Sequence, residues 1–488
     1  MTFLSIAEYR PDIADINSDY SDDILNVLQA DGSYIPMPGF KAFSKPFPEK
    51  PYGAYAARAL DGTTSVFAGT ATKLFVLDNT DLSWRDITQT GKIYSASDEA
   101  RWCFASFGNF IIAVNKNDPP QVFELNRSAK FRNLGGNPPR AGAVKVWGDF
   151  VCLMQLPDNP NRVYWSGLND AEFWTVGEKS CDYQDFPDGG SVQGSSEATN
   201  PIIFLQSAIY RGTFIPGSDI IFSFQKIHDK RGAKSSNSIS SRGEFSFYAD
   251  EGGFFQITSD GAVTPIGFEK IDRSVFTRMN ANNLAEMFCA IDPFYNRVYW
   301  AMDYNGSGVM NELMVYDWGL QKWTVISIAA SSIMPIYTSG YTLDGLDNIS
   351  TILENLPFSL DSKIWQGGAP ILGAFSVDYR LGSFSGEAME AIVSSQEIAA
   401  TNGDINRLEN VIAQIDTNEA LLAIGARMRR NPQEPVKWSG EKSPSYNTGR
   451  YHGRSRARFH KFRLRVPAGE KWSHIAGFNV DFTRAGKR

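Results

Sequence analysis

Phe107-Gly108-Asn109-Phe110-Ile111-Ile112-Ala113-Val114 and Trp147-Gly148-Asp149-Phe150-Val151-Cys152-Leu153-Met154 are two copies of one pattern, forty residues apart. Each has an aromatic residue, a Gly-Asn or Gly-Asp pair, and an apolar run. That is the chemistry of a strand, a two-residue turn and a second strand. Further copies lie outward from this pair. Leu74-Phe75-Val76-Leu77-Asp78 precedes Trp84 by the interval at which Leu313-Met314-Val315-Tyr316-Asp317 precedes Trp323. Val122 to Leu125, followed by Phe131, is a degraded third copy. Asn161-Arg162-Val163-Tyr164-Trp165 recurs verbatim as Asn296-Arg297-Val298-Tyr299-Trp300.

A spacing near forty residues with recurring aromatics is what propeller blades show. Each blade is a small sheet that cannot cover its own apolar face, so blades pack on one another round an axis. The expected fold is therefore all-β: a β-propeller over residues 34–350, with residues 1–33 as an N-terminal extension. Residues 351–488 form a C-terminal β-rich domain completing the fold. Six or seven blades fit, and six is preferred because insertions enlarge some of them. Trp84, Trp147, Trp165, Trp300 and Trp323 are expected to fill the wedges between blades. A pair of ordinary β-sandwiches is the competing reading.

Composition agrees with strands. Among 488 residues, 13% are aromatic, with 42 Gly and 24 Pro, which favours pleated surfaces joined by tight turns. The polar stretch from Asp229 to Arg242 reads as a flexible, exposed loop, a candidate gate or partner-docking arm. Residues 404–424 stay open between helix and strand. Ile405, Leu408, Ile412 and Ile415 fit a helical face, and a strand fits as well. Near His460-Lys461 the even positions change from polar to apolar, which predicts a bulge or a crossing between sheets.

Net charge is −7, unevenly spread. From residue 425 onward there are 16 Lys+Arg against 4 Asp+Glu, net +12, leaving 31 against 50, net −19, in the rest. The acidic body and basic tail predict different surroundings. Arg454, Arg456, Arg458, Arg463 and Arg465 are the candidate subunit or partner interface. Competing uses are a solvated face, or phosphate contact with stacking from Tyr451 or Phe459.

Catalytic signatures are not found: there is no P-loop, strand-linked GxGxxG, HExxH or GxSxG. Asp185 and Asp188 could form a glycan-cleaving carboxylate pair, though a solvated turn is the plainer reading. Asp303-Tyr304-Asn305-Gly306-Ser307 resembles a calcium loop but lacks a suitably spaced downstream Glu. The four cysteines have no metal-type spacing and read as free, mostly buried thiols; the four histidines form no ligand cluster. No catalytic residue, cofactor or metal is expected. No run approaches the roughly 18 apolar residues of a membrane-spanning helix. Free thiols fit synthesis in a reducing cytoplasm, and Met1 to Pro11 is expected to be no secretory signal, having neither a basic nor an apolar leader region.

Three stretches resemble the tail-hub or nozzle proteins of short-tailed bacteriophages, including those called packaged-DNA stabilisation proteins. The first is Ile24-Leu25-Asn26-Val27 leading through Asp31-Gly32 to Tyr34-Ile35-Pro36-Met37-Pro38-Gly39-Phe40. The second is Phe268-Glu269-Lys270-Ile271-Asp272-Arg273, followed by Met314-Val315-Tyr316-Asp317. The third is Gly449-Arg450-Tyr451-His452, an Arg-rich strand, Val466-Pro467-Ala468-Gly469, Trp472 and Gly477-Phe478. The resemblance implies a hexameric ring in the virion tail, below the head-to-tail connector and its adaptor ring. That ring would hold fibres, spikes or a needle, retain the packaged genome, and pass double-stranded DNA without sequence-specific binding. The family brings no catalytic residues. A host-surface carbohydrate-binding or carbohydrate-cleaving propeller is the alternative function.

Overall fold

The computed structural model of the chain describes residues 2–13, 20–279, 284–338, 346, 350, 352, 356, 367–399, 404–429 and 434–486. The expected domain boundary at 350/351 falls outside the run of described residues. Among the described residues the chain forms eight antiparallel sheets, one parallel strand pair and a single short α-helix, Asp272–Phe276. The fold is all-β.

Five sheets of four strands follow one another along the chain. Sheet I runs from Gly53–Arg58 to Trp84–Asp86, and sheet II from Cys103–Phe107 to Arg132–Asn133. Sheet III runs from Ala143–Trp147 to Asp182–Asp185, sheet IV from Val192–Ser195 to Phe222–Asp229, and sheet V from Ser240–Arg242 to Val263–Pro265. Sheet VI begins with Phe288–Ile291, Arg297–Met302, Met310–Asp317 and the long strand Lys322–Tyr337. It continues through Pro370–Ser376 and Leu381–Ala388 to Pro38–Ala42.

The aromatic-Gly-Asn/Asp copies occupy equivalent places, the first hairpins of sheets II and III. Phe107 pairs with Phe110 and Trp147 with Phe150. Gly108 and Gly148 have φ of 57° and 58°, the left-handed conformation a Gly-first hairpin turn requires. Likewise Leu77 pairs with Trp84 in sheet I and Tyr316 with Trp323 in sheet VI, both across the last hairpin of four strands. The verbatim repeat is out of phase. Arg162–Trp165 is the third strand of sheet III, whereas Arg297–Met302 is the second of sheet VI. It encodes a turn and a strand, not a position in a repeat.

Cores form between successive sheets. Phe67 and Leu74 of sheet I meet Phe104 and Phe123 of sheet II. Ile112 and Val122 of II meet Val151 and Leu153 of III. Trp147, Phe150 and Trp165 of III meet Ile203, Leu205 and Phe222 of IV. Phe204 and Ile209 of IV meet Tyr248 and Phe255 of V. Phe247 and Phe254 of V meet Trp300 and Trp323 of VI. Met334, Ile336 and Phe375 of VI meet Val66, Ala68 and Phe75 of I. Each fully buried large side chain contributes about 1.5–3 kcal/mol of transfer free energy.

The chain ends build two further sheets together. Sheet VII joins Thr2–Ser5, Val27–Ala30 and Ser33–Pro36 to Ile405–Ile415, Tyr451–Ala457 and Ile475–Gly486. Sheet VIII joins Ile24–Leu25 to Ala391–Ser394, Leu421–Arg427, Lys437–Trp438 and Phe459–Val466. The open stretch 404–424 is thus built of strands, Ile405–Ile415 and the start of Leu421–Arg427. Residues 1–33 supply strands to both sheets, so the extension is part of the C-terminal β-structure.

The chain crosses from sheet VII to sheet VIII at Arg458. Tyr451, Gly453 and Ala457 are buried before it, and His460, Phe462, Leu464 and Val466 after it. This is the change of phase seen in the sequence. The expected exposed loop after Asp229 does not hold beyond Arg231. Ala233, Ser235 and Ser238 are buried, because the Ala233 N–H donates to the Leu205 carbonyl and the Ser235 hydroxyl to the Ala285 carbonyl, and the Ser238 hydroxyl to the Ser235 carbonyl. Ser240–Arg242 is the first strand of sheet V.

Candidate interaction surfaces

The five tryptophans lie between sheets, four of them deeply. Trp147, Trp300 and Trp323 are fully buried, Trp165 nearly so, and Trp84 partly exposed. Their indole N–H groups tie sheets to neighbouring segments. Trp147 donates to the Ser195 hydroxyl at 2.8 Å, Trp323 to the Ile266 carbonyl at 2.8 Å, and Trp84 to the Lys45 carbonyl at 3.2 Å. Trp300 stacks on Trp323 with centroids 5.4 Å apart. Trp102 was not singled out in the sequence, yet it lies over Gly69, where a β-carbon would overlap its indole.

The five arginines do not make one surface. Arg463 and Arg465 are committed inside the molecule: Arg463 bonds Asp23 at 2.6 Å and lies over Trp438, while Arg465 bonds Glu441 at 2.5 Å and Glu390 at 3.1 Å. Arg458 sits at the crossing with its Nε buried and without a partner. Only Arg454 and Arg456 project outward and exposed, from the edge strand of sheet VII. The Asp22-Asp23 doublet receives Lys461 and Arg463, so these cations are satisfied internally.

A cavity of about 1040 Å³ is walled by the opening strands of sheets I, II, III, IV and VI, the segment entering sheet V, and Ser332 to Met334. Both signs of charge line it: Arg101, Lys116, Lys145 and Lys234 with Asp98, Glu99 and Glu286. Burial alone would lower the Lys145 ammonium, but Glu197 at 2.9 Å holds it above its ordinary value. Cys103 and Cys289 also line the cavity as thiols, and all four cysteines are free. Burial pushes Cys289 well above the usual thiol range.

Cationic side chains grip both members of the carboxylate pair. Asp185 is gripped by Arg162 at 2.6 Å, and Asp188 by Lys226 and the Tyr210 hydroxyl; both are held below the usual carboxylate range by those contacts. A glycosidase acid needs the opposite shift. The Asp303 loop closes on itself: its buried carboxylate accepts from the Asn305 and Gly308 N–H groups and from the Ser307 hydroxyl. Among the described residues no group of three His, Cys, Asp or Glu could hold a metal ion. No helix there is long and apolar enough to cross a membrane.

No protein-family model matches the chain, and neither does any curated protein. Solved structures with similar chains include the extracellular domain of a putative one-component system from B. thetaiotaomicron, at 12% identity and TM-score 0.43. The match covers 82% of this chain and 47% of that one, so the chain spans about half its length. The N-terminal domain of Nup159 is similar at 8% identity and TM-score 0.41, covering 73% of this chain and 97% of that one. The computationally designed Ika8 protein is similar at 8% identity and TM-score 0.38, covering 78% and 97%.

Proposed function

We propose that the chain is a six-bladed β-propeller with an added two-sheet β-domain, acting as a non-enzymatic, ring-forming subunit of a short-tailed bacteriophage tail. Sheets I to V and the first four strands of sheet VI are the blades, and sheets VII and VIII the added domain. Six copies extend the DNA channel below the head-to-tail connector, hold the packaged genome, pass it at ejection, and seat fibre, spike or needle proteins.

One observation carries the functional part. The three stretches that resemble tail-nozzle proteins lie hundreds of residues apart, yet they meet in a single core. Ile24, Val27 and Tyr34 pack there with Ile271, Met314 and Tyr316, and with Tyr451, Val466, Trp472 and Phe478. Shared residues that converge on one structural junction support a shared architecture better than scattered ones would.

Electrostatics agree with a conduit. A strongly basic wall would release counterions from DNA and act as a brake. A wall of net acidic subunits keeps the duplex off by repulsion over a Debye length of about 8–10 Å. The cavity within one chain carries both signs and is not the DNA path, which runs on the axis of the ring.

Particles assembled without this chain test the reading. They should fill with DNA and then lose it, with tail parts below the connector missing. Stable, filled and infectious particles would contradict it. Binding or digestion of a bacterial polysaccharide by the purified chain would favour the carbohydrate alternative.

A further inference from the structure

Among the described residues the outward face of sheet VII carries exposed Phe3, Arg407, Arg454, Arg456 and Thr483, the composition of an interface. In an antiparallel sheet, directly opposed residues share a face. Arg456 opposes Arg407, which opposes Thr483, so two guanidiniums stand side by side on neighbouring strands. Like charges so placed destabilise an isolated sheet. Glu409 takes Arg407 at 3.1 Å and the Thr483 hydroxyl at 3.0 Å. Arg456 is left with the Ala485 carbonyl, at 3.3 Å. Arg454 projects to the same side and has no hydrogen-bond or ion-pair partner among the described residues.

The other end of this face is apolar. Phe3 opposes Asn479, which opposes Ile412, and Phe3 is 53% exposed. Between the two ends lies the polar row His452, Asn410 and Asp481. Arginines and aromatic residues are both enriched in protein–protein interfaces. A phosphate backbone would make no use of Phe3 or Ile412.

We propose that this face docks on the acidic body of a second copy of the chain, a head-to-tail contact that closes into the ring. The inference rests on the ring reading above and names its surface. Charge complementarity selects the occupant: the face presents the exposed guanidiniums of Arg407, Arg454 and Arg456, and residues before 425 as a whole carry net −19. Contacts of unlike patches generate rings when the rotation closes.

Mass photometry of the full-length chain, with and without salt, decides it. The wild type should form closed oligomers that dissociate in about 1 M salt, where the Debye length is about 3 Å. Arg454→Glu/Arg456→Glu should weaken association at least about tenfold, and Phe3→Ser independently, with unchanged thermal unfolding in both. Wild-type-like rings from both variants would overturn this surface while leaving the ring reading intact. A wild type that stays monomeric at every concentration would overturn both. Normal rings from the arginine variant with lost retardation of a DNA duplex would overturn the docking role and assign the arginines to phosphate.

Discussion

The Arg463 guanidinium donates to the Asp23 carboxylate at 2.6 Å, joining positions 440 residues apart. Lys461 and Asp22 repeat the link, and Ser394 donates to Asp23 at 2.8 Å. The first residues of the chain therefore pack onto strands formed near its end.

Partly exposed ion pairs of this kind contribute about 0–1 kcal/mol, so Asp23→Asn alone should change stability little. The apolar contacts beneath hold the ends together. Tyr34 is fully buried and its hydroxyl donates to the Ala7 carbonyl at 3.0 Å. Tyr34→Ala should cost about 3–5 kcal/mol in denaturant unfolding. Removing residues 2–33 should leave a chain that aggregates, because it strips strands from sheets VII and VIII. A well-folded truncated chain would contradict the integration of the two ends.

The inter-sheet tryptophans should rank by burial. Trp300→Ala removes a side chain stacked on Trp323 and in contact with Phe254, and should cost about 3–5 kcal/mol. Trp84, partly exposed against Phe47 and Phe375, should cost clearly less on the same change. Urea midpoints of the two variants measure the difference.

One buried and one half-buried group should bend the stability profile in opposite directions. Burial lowers His460 to about 4, against a weaker opposing contact with the Ser455 backbone. Between pH 6.5 and about 4 the unfolded chain takes up a proton that the folded one refuses. Stability from this group is therefore complete above pH 6.5 and falls with pH, by up to about 3 kcal/mol. His460→Phe should flatten that fall.

Asp272 is raised to about 7, first by burial and then by Asp12, against a bond from the Phe254 N–H. Its unfolded form loses a proton from pH 3.8 upward while the folded form keeps it. Stability from Asp272 falls as pH rises from about 4 to 7. Asp272→Asn should remove this opposite slope, seen as a gain at pH 7 that vanishes near pH 4.

Much of this fold was legible where local chemistry repeats. The aromatic-Gly-Asn/Asp pairs marked equivalent hairpins because the turn demands a Gly at positive φ and the strands demand apolar alternation. The helix-or-strand ambiguity at residues 404–424 has a physical source. Bulges between Ile405 and Asn406 and between Leu408 and Asn410 put Ile405, Leu408 and Val411 all inward. That spacing of three mimics a helical face. Small polar side chains in the segment after Asp229 misled in another way, since Ser235 and Ser238 bury once their hydroxyls find carbonyls. The crossing near Arg458 was legible as a change of phase, but the separation of Arg454 and Arg456 from Arg463 and Arg465 was not, because the anionic partners of the latter pair, Asp23, Glu390 and Glu441, are brought to them only by tertiary packing.

The most direct test of the central claim is electron microscopy of the phage particle with this chain labelled at its C-terminus. The account predicts six labels on one ring, coaxial with the DNA channel and immediately below the connector. Labels at the tips of host-binding fibres, scattered over the capsid, or absent from the particle would contradict it.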